Sequence, residues 1–284
     1  NLAIAEWPTD SGPADYVLFV GLQIIGVVEA KRRSADVASV VVQAKRYSRD
    51  FQIHGDAAFI GGPWGEYRVP FVFATNGRPY LEQLRTNSGI WFCDLRRSQN
   101  LSRPLKTWYS PTDLLDTLSQ DIDQATQRLT TESFDYNFGL RPYQKKAIQA
   151  VETALAKDAR WLLLAMATGT GKTKTSIALV YRLLKTKRFR RVLFLVDRTA
   201  LGEQASNAFK ETRMESLQTF ADIFDIKGLK DTEPDRDTKF HIATIQGMVQ
   251  RLLYPSDDTA MLTAGQYDWP PRLHSCTALR RPPG

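Results

Sequence analysis

The chain has 284 residues, of which 43% are hydrophobic and 24% are charged, so its composition is that of a folded protein and not a disordered one. Its length is about twice that of a typical domain, which favours two domains. No run of eighteen apolar residues occurs, so no transmembrane helix is predicted. The first residues also lack the features of a secretory signal. We expect a cytoplasmic protein, and the absence of an initiating Met indicates a processed chain or a fragment.

The cysteines and histidines argue against a disulfide framework and against a zinc site. Cys93 and Cys276 are far apart, and no CxxC spacing or Cys/His cluster occurs. The three histidines, His54, His241 and His274, are scattered. We interpret each of them as a structural or exposed residue.

The charge is unevenly distributed along the chain. Residues 1–140 contain 14 Lys and Arg against 16 Asp and Glu, whereas residues 141–284 contain 24 against 15. A basic C-terminal half is compatible with a polyanionic partner such as nucleic acid. The alternative is an ordinary solvated surface.

The first part of the chain is rich in predicted strands. Residues 14–31 are two apolar, β-rich runs around Gly21–Gln23, which predicts a hairpin. Apolar positions at helical spacing predict an amphipathic helix over residues 36–50. Further strands are predicted over residues 57–60, 69–74 and 89–93.

The second part alternates between helices and strands. A helix begins near Ser110, with Pro111 in its first turn, and is predicted to reach about Arg128. We place the domain boundary in the polar connector over residues 130–140. Beyond it, helices are predicted over residues 142–157, over 172–186 and from the end of the second strand to about residue 213, with strands over 161–165, 191–196 and 239–244. Such alternation favours a parallel α/β sheet.

Residues 166–173, MATGTGKT, have the features of a phosphate-binding loop. Gly171, Lys172 and Thr173 match the last three positions of the phosphate-loop pattern, and Met166 replaces its first glycine. Glycines allow backbone N–H groups to surround phosphate oxygens, and the N-terminus of the next helix adds positive potential. We expect Lys172 to reach the β- and γ-phosphates of a nucleotide and Thr173 to ligate Mg²⁺.

The loop resembles that of superfamily 2 helicases and translocases. LRPYQ at residues 140–144 resembles their Q motif, LFLVDR at 193–198 resembles motif Ia, and IATIQ at 242–246 resembles motif Ib. The resemblance implies that Gln144 reads the adenine edge, with Arg141 nearby. It implies ATP binding by Arg141, Gln144, Thr168, Gly169, Thr170, Gly171, Lys172 and Thr173, and DNA contacts by Asp197, Arg198, Thr244 and Gln246.

One motif of that family is missing. ATP hydrolysis in the family uses a strand that ends in Asp-Glu, and GQYD at residues 265–268 resembles the approach to it. The following 16 residues contain four Pro, three Arg and no acidic residue, and four prolines exclude a buried central strand. We interpret residues 140–268 as a truncated RecA-like domain and residues 269–284 as an aberrant, out-of-frame tail. We expect weak or no ATP hydrolysis from this chain.

The predicted hairpin offers a second site. Asp15 and Glu29 are equidistant from Leu22 in the turn, so a symmetric hairpin places them opposite each other with Cβ atoms about 5 Å apart. Lys31 shares a face of its strand with Glu29. Two carboxylates and a lysine at strand ends can bind Mg²⁺ and stabilise charge at a phosphorus atom. The alternative is an exposed hairpin with ordinary surface charges.

This arrangement resembles the PD-(D/E)xK nucleases, with Asp15 as the first acid and Glu29-Ala30-Lys31 as the E-x-K element. Gln43 and Tyr47 fit the Q-x-x-x-Y element of some of these nucleases, and their spacing places them on one helical face. FATNG follows at residues 73–77. Together with the motor motifs, the pattern resembles the restriction (R) subunit of type I restriction-modification enzymes over residues 12–268.

The resemblance implies an α/β chain with two folded parts. A PD-(D/E)xK nuclease-like α/β domain occupies residues 1–110, a helical linker occupies 111–139, and the truncated RecA-like parallel α/β motor domain occupies 140–268. The family usually has a helix with an acidic residue ahead of the hairpin, and we expect the chain to begin too late to include it.

The resemblance also implies roles and partners. Asp15 and Glu29 bind Mg²⁺, Lys31 orients the attacking water or stabilises the transition state, and Gln43 and Tyr47 support the site. The motor uses ATP to pull duplex DNA. Target recognition and methylation belong to separate specificity and modification (methyltransferase) subunits.

Two other functions stay open. The chain could be a helicase or translocase whose N-terminal domain only binds DNA, in which case substitution of Glu29 or Lys31 leaves its activity unchanged. It could also be an inactive remnant that only binds nucleotide or DNA.

Overall fold

The computed structural model describes residues 1–79, 89–159, 161–231, 235, 237–253 and 265–268. The chain divides into two compact units, and the division falls between Gln120 and Asp121, ahead of the connector where we expected it. In the described ranges no helix is long and apolar enough to cross a membrane. The predicted aberrant tail, residues 269–284, lies outside the described residues.

The first unit is built on a seven-stranded sheet in the order β1-β2-β3-β5-β6-β7, with β4 paired to β3. Its strands are β1 Leu2–Trp7, β2 Ala14–Val20, β3 Gln23–Ala30, β4 Ala58–Phe59, β5 Phe71–Thr75, β6 Ile90–Asp94 and β7 Arg103–Leu105. Its helices are α1 Val41–Arg49 and α2 Pro111–Leu118. β3 runs parallel to β4 and β5, and the other neighbouring strands are antiparallel.

Helices cover both faces of this sheet. Along β5, Val72 and Ala74 pack in the core that includes Val41 and Ala44 of α1. Phe71 and Phe73 pack on the other face, in the core that includes Leu114 of α2. Because successive side chains of a strand point to opposite faces, a strand covered on both sides is apolar at every position.

The structure confirms the predicted hairpin and the three later strands, and it adds β1 and β7. Most of β1 is exposed, so its sequence lacks the alternation that marks a half-buried strand. The helix expected over residues 36–50 forms only as α1. The helix expected to reach Arg128 is two helices, because the Asp121 side chain accepts a hydrogen bond from the backbone N–H of Gln124 at 2.9 Å and starts a new helix.

The second unit begins with three helices, α3 Ile122–Thr131, α4 Pro142–Ala156 and α5 Lys172–Lys185. The remaining elements are β8 Val192–Val196, α6 Thr199–Glu211, β9 Arg213–Glu215, β10 Gln218–Thr219, α7 Phe220–Ile223, β11 Ile226–Lys227, β12 Phe240–Thr244 and α8 Ile245–Leu253. β11, β12 and β8 form a parallel sheet in that order. Its core surrounds Phe209, Phe220 and Phe240.

The strand that we predicted over residues 161–165 is not formed, and that prediction was wrong. The segment has no regular secondary structure and joins no ladder of the described sheet. Trp161 is 62% exposed and Leu163 is 85% exposed. A run of apolar residues becomes a strand only where neighbouring strands accept and donate its backbone hydrogen bonds, and none of the described strands does so.

Candidate functional site

The hairpin of β2 and β3 aligns the two predicted carboxylates by a route that the sequence did not reveal. The strands are joined by a two-residue turn and not by a symmetric turn centred on Leu22. A β-bulge then shifts the register by one residue, so that Tyr16 pairs with Val28. The same register, continued by one residue, places Asp15 opposite Glu29. Bulges are common next to active sites because they redirect side chains.

Both carboxylates lie close to the end of β3. The Asp15 carboxylate accepts a hydrogen bond from the backbone N–H of Ala30 at 2.6 Å. Glu29 is only 1% exposed, and its Oε1 accepts a hydrogen bond from Lys31 Nζ. Within the described residues, Glu29 Oε2 is buried without a hydrogen-bond partner. A buried carboxylate oxygen without a donor is unfavourable unless another group or a cation satisfies it.

The charges of this site influence one another. Burial raises the pKa of Glu29 above its ordinary value, and the nearby Asp15 carboxylate adds to that increase, while the hydrogen bond from Lys31 opposes it. The hydrogen bond to Glu29 raises the pKa of Lys31, so this side chain is an ammonium at neutral pH. The result is a positive charge fixed beside two carboxylates.

The donor set fits a Mg²⁺ ion. Mg²⁺ is usually held in proteins by one or two carboxylates, with the remaining ligands from water and substrate phosphate. Asp15 and Glu29 supply two carboxylates, and the buried Glu29 Oε2 has a free acceptor. No group of three or more His, Cys, Asp or Glu suited to a metal is present in the described part of the chain. Two carboxylates, one with a free oxygen, are compatible with a Mg²⁺ ion that takes its other ligands from water and substrate phosphate.

Gln43 and Tyr47 contact each other on α1, as their spacing predicts. Gln43 Nε2 donates a hydrogen bond to the Tyr47 hydroxyl at 2.7 Å. The Tyr47 ring is buried in the core between α1 and the sheet. The pair is therefore held on the same face of the sheet as the core residues Val27 and Ala74. Its support of the carboxylate site stays a prediction.

The predicted phosphate loop leads into α5 through two glycines in left-handed conformations. Gly169 has φ +79° and Gly171, which precedes the helix, has φ +78°. A Cβ at Gly171 would lie 2.6 Å from Gln144 Nε2. Gly171 is therefore required both by its backbone conformation and by the close approach of Gln144.

The Gln144 side chain is buried against this loop. Its Oε1 accepts a hydrogen bond from the backbone N–H of Arg141 at 2.9 Å, and its Nε2 donates to the carbonyl oxygens of Thr170 at 3.1 Å and Gly171 at 3.3 Å. The Tyr143 hydroxyl donates to the same Thr170 carbonyl at 2.9 Å. These contacts connect α4 to the loop. The adenine contact of Gln144 stays a prediction.

Lys172 faces carbonyl oxygens of its own loop. Its Nζ donates to the carbonyl oxygens of Ala167 at 3.2 Å and Met166 at 3.4 Å. The side chains of Thr168 and Thr173 are exposed on the loop. The phosphates of a nucleotide would have to replace these carbonyls as partners of the Lys172 ammonium.

A cavity of about 410 Å³ lies beside Thr173. It was not predicted from the sequence. Lys174 Nζ lies 5.3 Å from the centre of the Phe138 ring at this cavity. The signal that could have indicated it is an aromatic residue three positions before Arg141. The lining residues are Asn137, Phe138, Thr173, Lys174, Ile177, Ala208, Thr212 and Arg213.

The four predicted DNA-contacting residues follow two neighbouring strands. Asp197 and Arg198 follow β8 and are 63% and 81% exposed. Thr244 ends β12, where it pairs with Val196, and Gln246 is the second residue of α8. Because β8 and β12 are parallel, these residues lie at one edge of the sheet. Thr244 Oγ1 accepts a hydrogen bond from the backbone N–H of Gly247 at 3.1 Å, so part of its capacity is used to start α8.

Two family models match the chain. Residues 1–118 match "Type I restriction enzyme EcoKI endonuclease subunit second domain". Residues 137–267 match "Type III restriction enzyme, res subunit". The first match includes the carboxylate site. The second includes the phosphate loop and the segments that resemble motifs Ia and Ib.

Curated relatives agree with both matches. The EcoKI endonuclease subunit of Escherichia coli (strain K12) is 43% identical over 281 residues, which cover 89% of this chain and 24% of that protein. The EcoAI endonuclease subunit of Escherichia coli is 32% identical over 204 residues, covering 68% of this chain and 22% of that protein.

A solved fragment of a type I restriction enzyme HsdR subunit from Vibrio vulnificus YJ016 is 21% identical. The match covers 87% of this chain and 44% of the solved chain, with a TM-score of 0.28. The chain spans about a quarter of the length of the curated relatives that it matches. The family models and the curated relatives agree, and the chain belongs to the family of type I restriction endonuclease subunits, with a nuclease-type domain followed by a helicase-like domain.

Proposed function

We propose that this chain supplies a Mg²⁺-dependent DNA nuclease and an ATP-binding, helicase-like domain to a type I restriction enzyme. In this proposal the first unit is a PD-(D/E)xK nuclease and the second is a RecA-like motor domain. The observation that carries the proposal is the buried, unpartnered Oε2 of Glu29, on a strand that places Glu29 opposite Asp15 and beside Lys31. An ordinary surface hairpin would not bury a carboxylate in this way.

The carboxylate pair would hold Mg²⁺ at the phosphate to be cleaved. When bound, Mg²⁺ supplies positive charge that stabilises the phosphorus-centred transition state. Asp15 is held in place by the Ala30 backbone N–H, and Glu29 is held by Lys31. Their oxygens are thereby positioned before substrate arrives, which lowers the reorganisation needed for reaction.

Lys31 would act on the reacting atoms directly. Its ammonium is fixed by Glu29 and is about one-third exposed, so it can reach solvent and substrate from a defined position. A fixed positive charge there stabilises negative charge that develops on the phosphate and orients an attacking water. Gln43 and Tyr47 would support the site by holding α1 against the sheet.

The second unit would bind ATP through the phosphate loop. Lys172 would exchange its loop carbonyls for phosphate oxygens, Thr173 would offer its hydroxyl to Mg²⁺, and backbone N–H groups of residues 168–171 would bind the phosphates. The base would enter the cavity beside Thr173 and contact the Phe138 ring. Arg141 and Gln144 would contribute to nucleotide binding, and Gln144 also holds the loop.

The partners follow from the family. Duplex DNA would contact Asp197, Arg198, Thr244 and Gln246 at the sheet edge, and modification and specificity subunits would supply methylation and target choice.

Two alternative functions differ in their predictions. A translocase with a non-catalytic N-terminal domain would not depend on Glu29, and an inactive remnant would bind nucleotide or DNA without cleaving DNA.

The test combines metal binding with DNA cleavage. The chain is titrated with Mn²⁺, which reports on Mg²⁺ sites by electron paramagnetic resonance. It is also assayed for Mg²⁺-dependent cleavage with the modification and specificity subunits and ATP. We expect Asp15→Asn and Glu29→Gln each to weaken Mn²⁺ binding and to lower cleavage by at least about 100-fold. Asp56→Asn, an exposed carboxylate of the same unit, serves as the control and changes neither.

Each outcome has a clear meaning. Cleavage that survives Glu29→Gln would contradict the nuclease assignment and favour a translocase. Cleavage that is absent from the unsubstituted chain under all these conditions would favour the inactive remnant. ATP binding is tested separately, and Lys172→Ala is expected to lower ATP affinity by at least about 10-fold because it removes the phosphate-binding charge.

A further inference from the structure

Asn76, in the FATNG segment, is a buried polar residue whose hydrogen bonds join two loops of the first unit. Its side chain is only 3% exposed. Nδ2 donates to the carbonyl oxygens of Ala35 at 3.1 Å and Arg33 at 3.4 Å, and Oδ1 accepts from the backbone N–H of Arg78 at 3.1 Å. One buried amide therefore connects the loop after β3 to the turn after β5.

This connection lies beside the carboxylate site. β3 and β5 are parallel neighbours, and the backbone N–H of Lys31 donates to the Thr75 carbonyl at 2.8 Å. Arg33 follows Lys31 by two residues, and Arg78 follows Thr75 by three. The amide of Asn76 thus fixes the backbones of two arginines at the strand ends from which Lys31 extends.

The arginine side chains at this edge are available for a ligand. Arg32 and Arg33 are exposed and Arg78 is half-buried. No carboxylate in the described ranges forms an ion pair with any of them. The nearest acid along the loop, Asp36, is exposed, and its Oδ1 accepts from the backbone N–H of Ala38.

We propose that Arg33 and Arg78 form a phosphate-binding strip that holds the DNA backbone next to the phosphate cleaved at Asp15 and Glu29, with Asn76 as the residue that positions both. This inference rests on the proposed nuclease function. Guanidinium groups without carboxylate partners bind phosphates in a bidentate manner. The ligand is the phosphodiester backbone, because Arg33 follows the proposed nuclease residue Lys31 by two positions, and Arg78 follows Thr75, whose carbonyl accepts from the backbone N–H of Lys31.

The test measures how DNA affinity depends on salt. The full chain is titrated with duplex DNA in Ca²⁺ at several salt concentrations, for the unsubstituted protein and for Arg33→Ala/Arg78→Ala. Each phosphate contact contributes about one unit to the slope of log affinity against log salt. We expect the double variant to lower that slope by about two units and to bind DNA about 10- to 100-fold more weakly at low salt.

A matched variant controls for loss of charge. Arg128 and Lys210 are exposed positive residues of the second unit, and Arg128→Ala/Lys210→Ala removes the same two charges. We expect that variant to keep the original slope. Arg33→Lys/Arg78→Lys retains the charges and should restore the slope while binding less tightly. An unchanged slope in the alanine variant, or an equal decrease in the matched control, would overturn the proposal.

Asn76→Asp tests the positioning role, because the aspartate keeps the shape and loses both Nδ2–H donors. With Mg²⁺, we expect it to raise KM for DNA cleavage more than it lowers kcat, since it releases the arginines without touching the metal ligands. A fall in kcat alone would contradict this role. If the unsubstituted protein does not cleave DNA but the salt slopes behave as stated, the nuclease assignment fails and the phosphate-binding strip stands.

Discussion

The two candidate sites differ in what holds their backbones in place. The carboxylate site lies on β3, which is hydrogen-bonded to β2 on one side and to β5 on the other. The phosphate loop lies between α5 and residues 161–165, which join no ladder of the described sheet. Its fixed contacts come from the side chains of Tyr143 and Gln144 on α4.

This difference has a chemical consequence. Asp15, Glu29 and Lys31 are held by paired strands, so their arrangement does not depend on a ligand. The loop is held by side chains, and its Lys172 is bonded to the loop's own carbonyls. Under the proposed function, nucleotide binding would therefore rearrange contacts in the second unit, whereas Mg²⁺ binding in the first unit would add a ligand to a site that is already formed.

The largest expected effect concerns the buried ion pair that joins α4 to α5. Arg182 is fully buried, and its guanidinium donates to both oxygens of Glu152. Glu152→Ala leaves that charge buried without its carboxylate, so we expect the free energy of unfolding to fall by about 3–5 kcal/mol. Urea unfolding measures the change. In the first unit, Asp50→Ala removes the partner of the exposed Arg49 and should leave the stability unchanged; equal losses would refute the contrast.

Acid should destabilise the second unit through His241. Burial, aided by the charge of Arg251, lowers the pKa of His241 to about 4. The Asp231 carbonyl can only accept, so His241 Nε2–H donates to it, and Nδ1 accepts from the Tyr267 hydroxyl. Both nitrogens are satisfied in the neutral ring.

The folded state therefore binds this proton less readily than the unfolded state, whose histidine titrates near 6.5. The stabilisation is fully present above pH 6.5 and is lost as pH falls from 6.5 to about 4. The loss amounts to at most about 3 kcal/mol. His241→Gln should flatten the dependence of unfolding free energy on pH in this window, whereas exposed His54→Gln should retain it. A slope that His241→Gln leaves unchanged would contradict the assignment.

Substitutions of two glycines in the phosphate loop can distinguish the cost of backbone strain from the cost of a side-chain clash. Gly169 and Gly171 have nearly equal positive φ values, but only a Cβ at Gly171 would meet Gln144. We expect Gly169→Ala to lower the free energy of unfolding by about 1 kcal/mol and Gly171→Ala by about 2–3 kcal/mol. Thermal unfolding without nucleotide measures both. Equal losses would mean that Gln144 does not brace the loop.

Much of the first unit could be predicted from its sequence because the signals are local. Two apolar runs around a short turn specify the hairpin, and the spacing of Asp15 and Glu29 about the turn predicts that they lie opposite each other. The bulge that brings the carboxylates into register carries no clear sequence signal. The link from Asn76 to the carbonyl oxygens of Arg33 and Ala35 could not be predicted either, because it joins segments about forty residues apart.

The second unit shows where local signals end. Gly171-Lys172-Thr173 correctly predicts the start of α5, whereas nucleotide binding by the loop stays a prediction. The apolar run before it predicts a strand with equal strength, but strand formation depends on neighbours that no local pattern specifies. The cavity beside Phe138 is likewise assembled from α5, α6 and the connector, so a single aromatic residue could at most hint at it.

The smallest expected effect tests the unpaired segment itself. Leu163 is 85% exposed, whereas Val72, in the centre of the first sheet, is fully buried. We expect Leu163→Ser to change the free energy of unfolding by less than about 0.5 kcal/mol, because an exposed side chain gives up little apolar contact. Val72→Ala removes two buried methyl groups and should lower it by about 1–3 kcal/mol. Chemical denaturation compares the two variants directly. If Leu163→Ser lowers stability as much as Val72→Ala does, residues 161–165 are packed in the folded protein, and the contrast between the two sites fails.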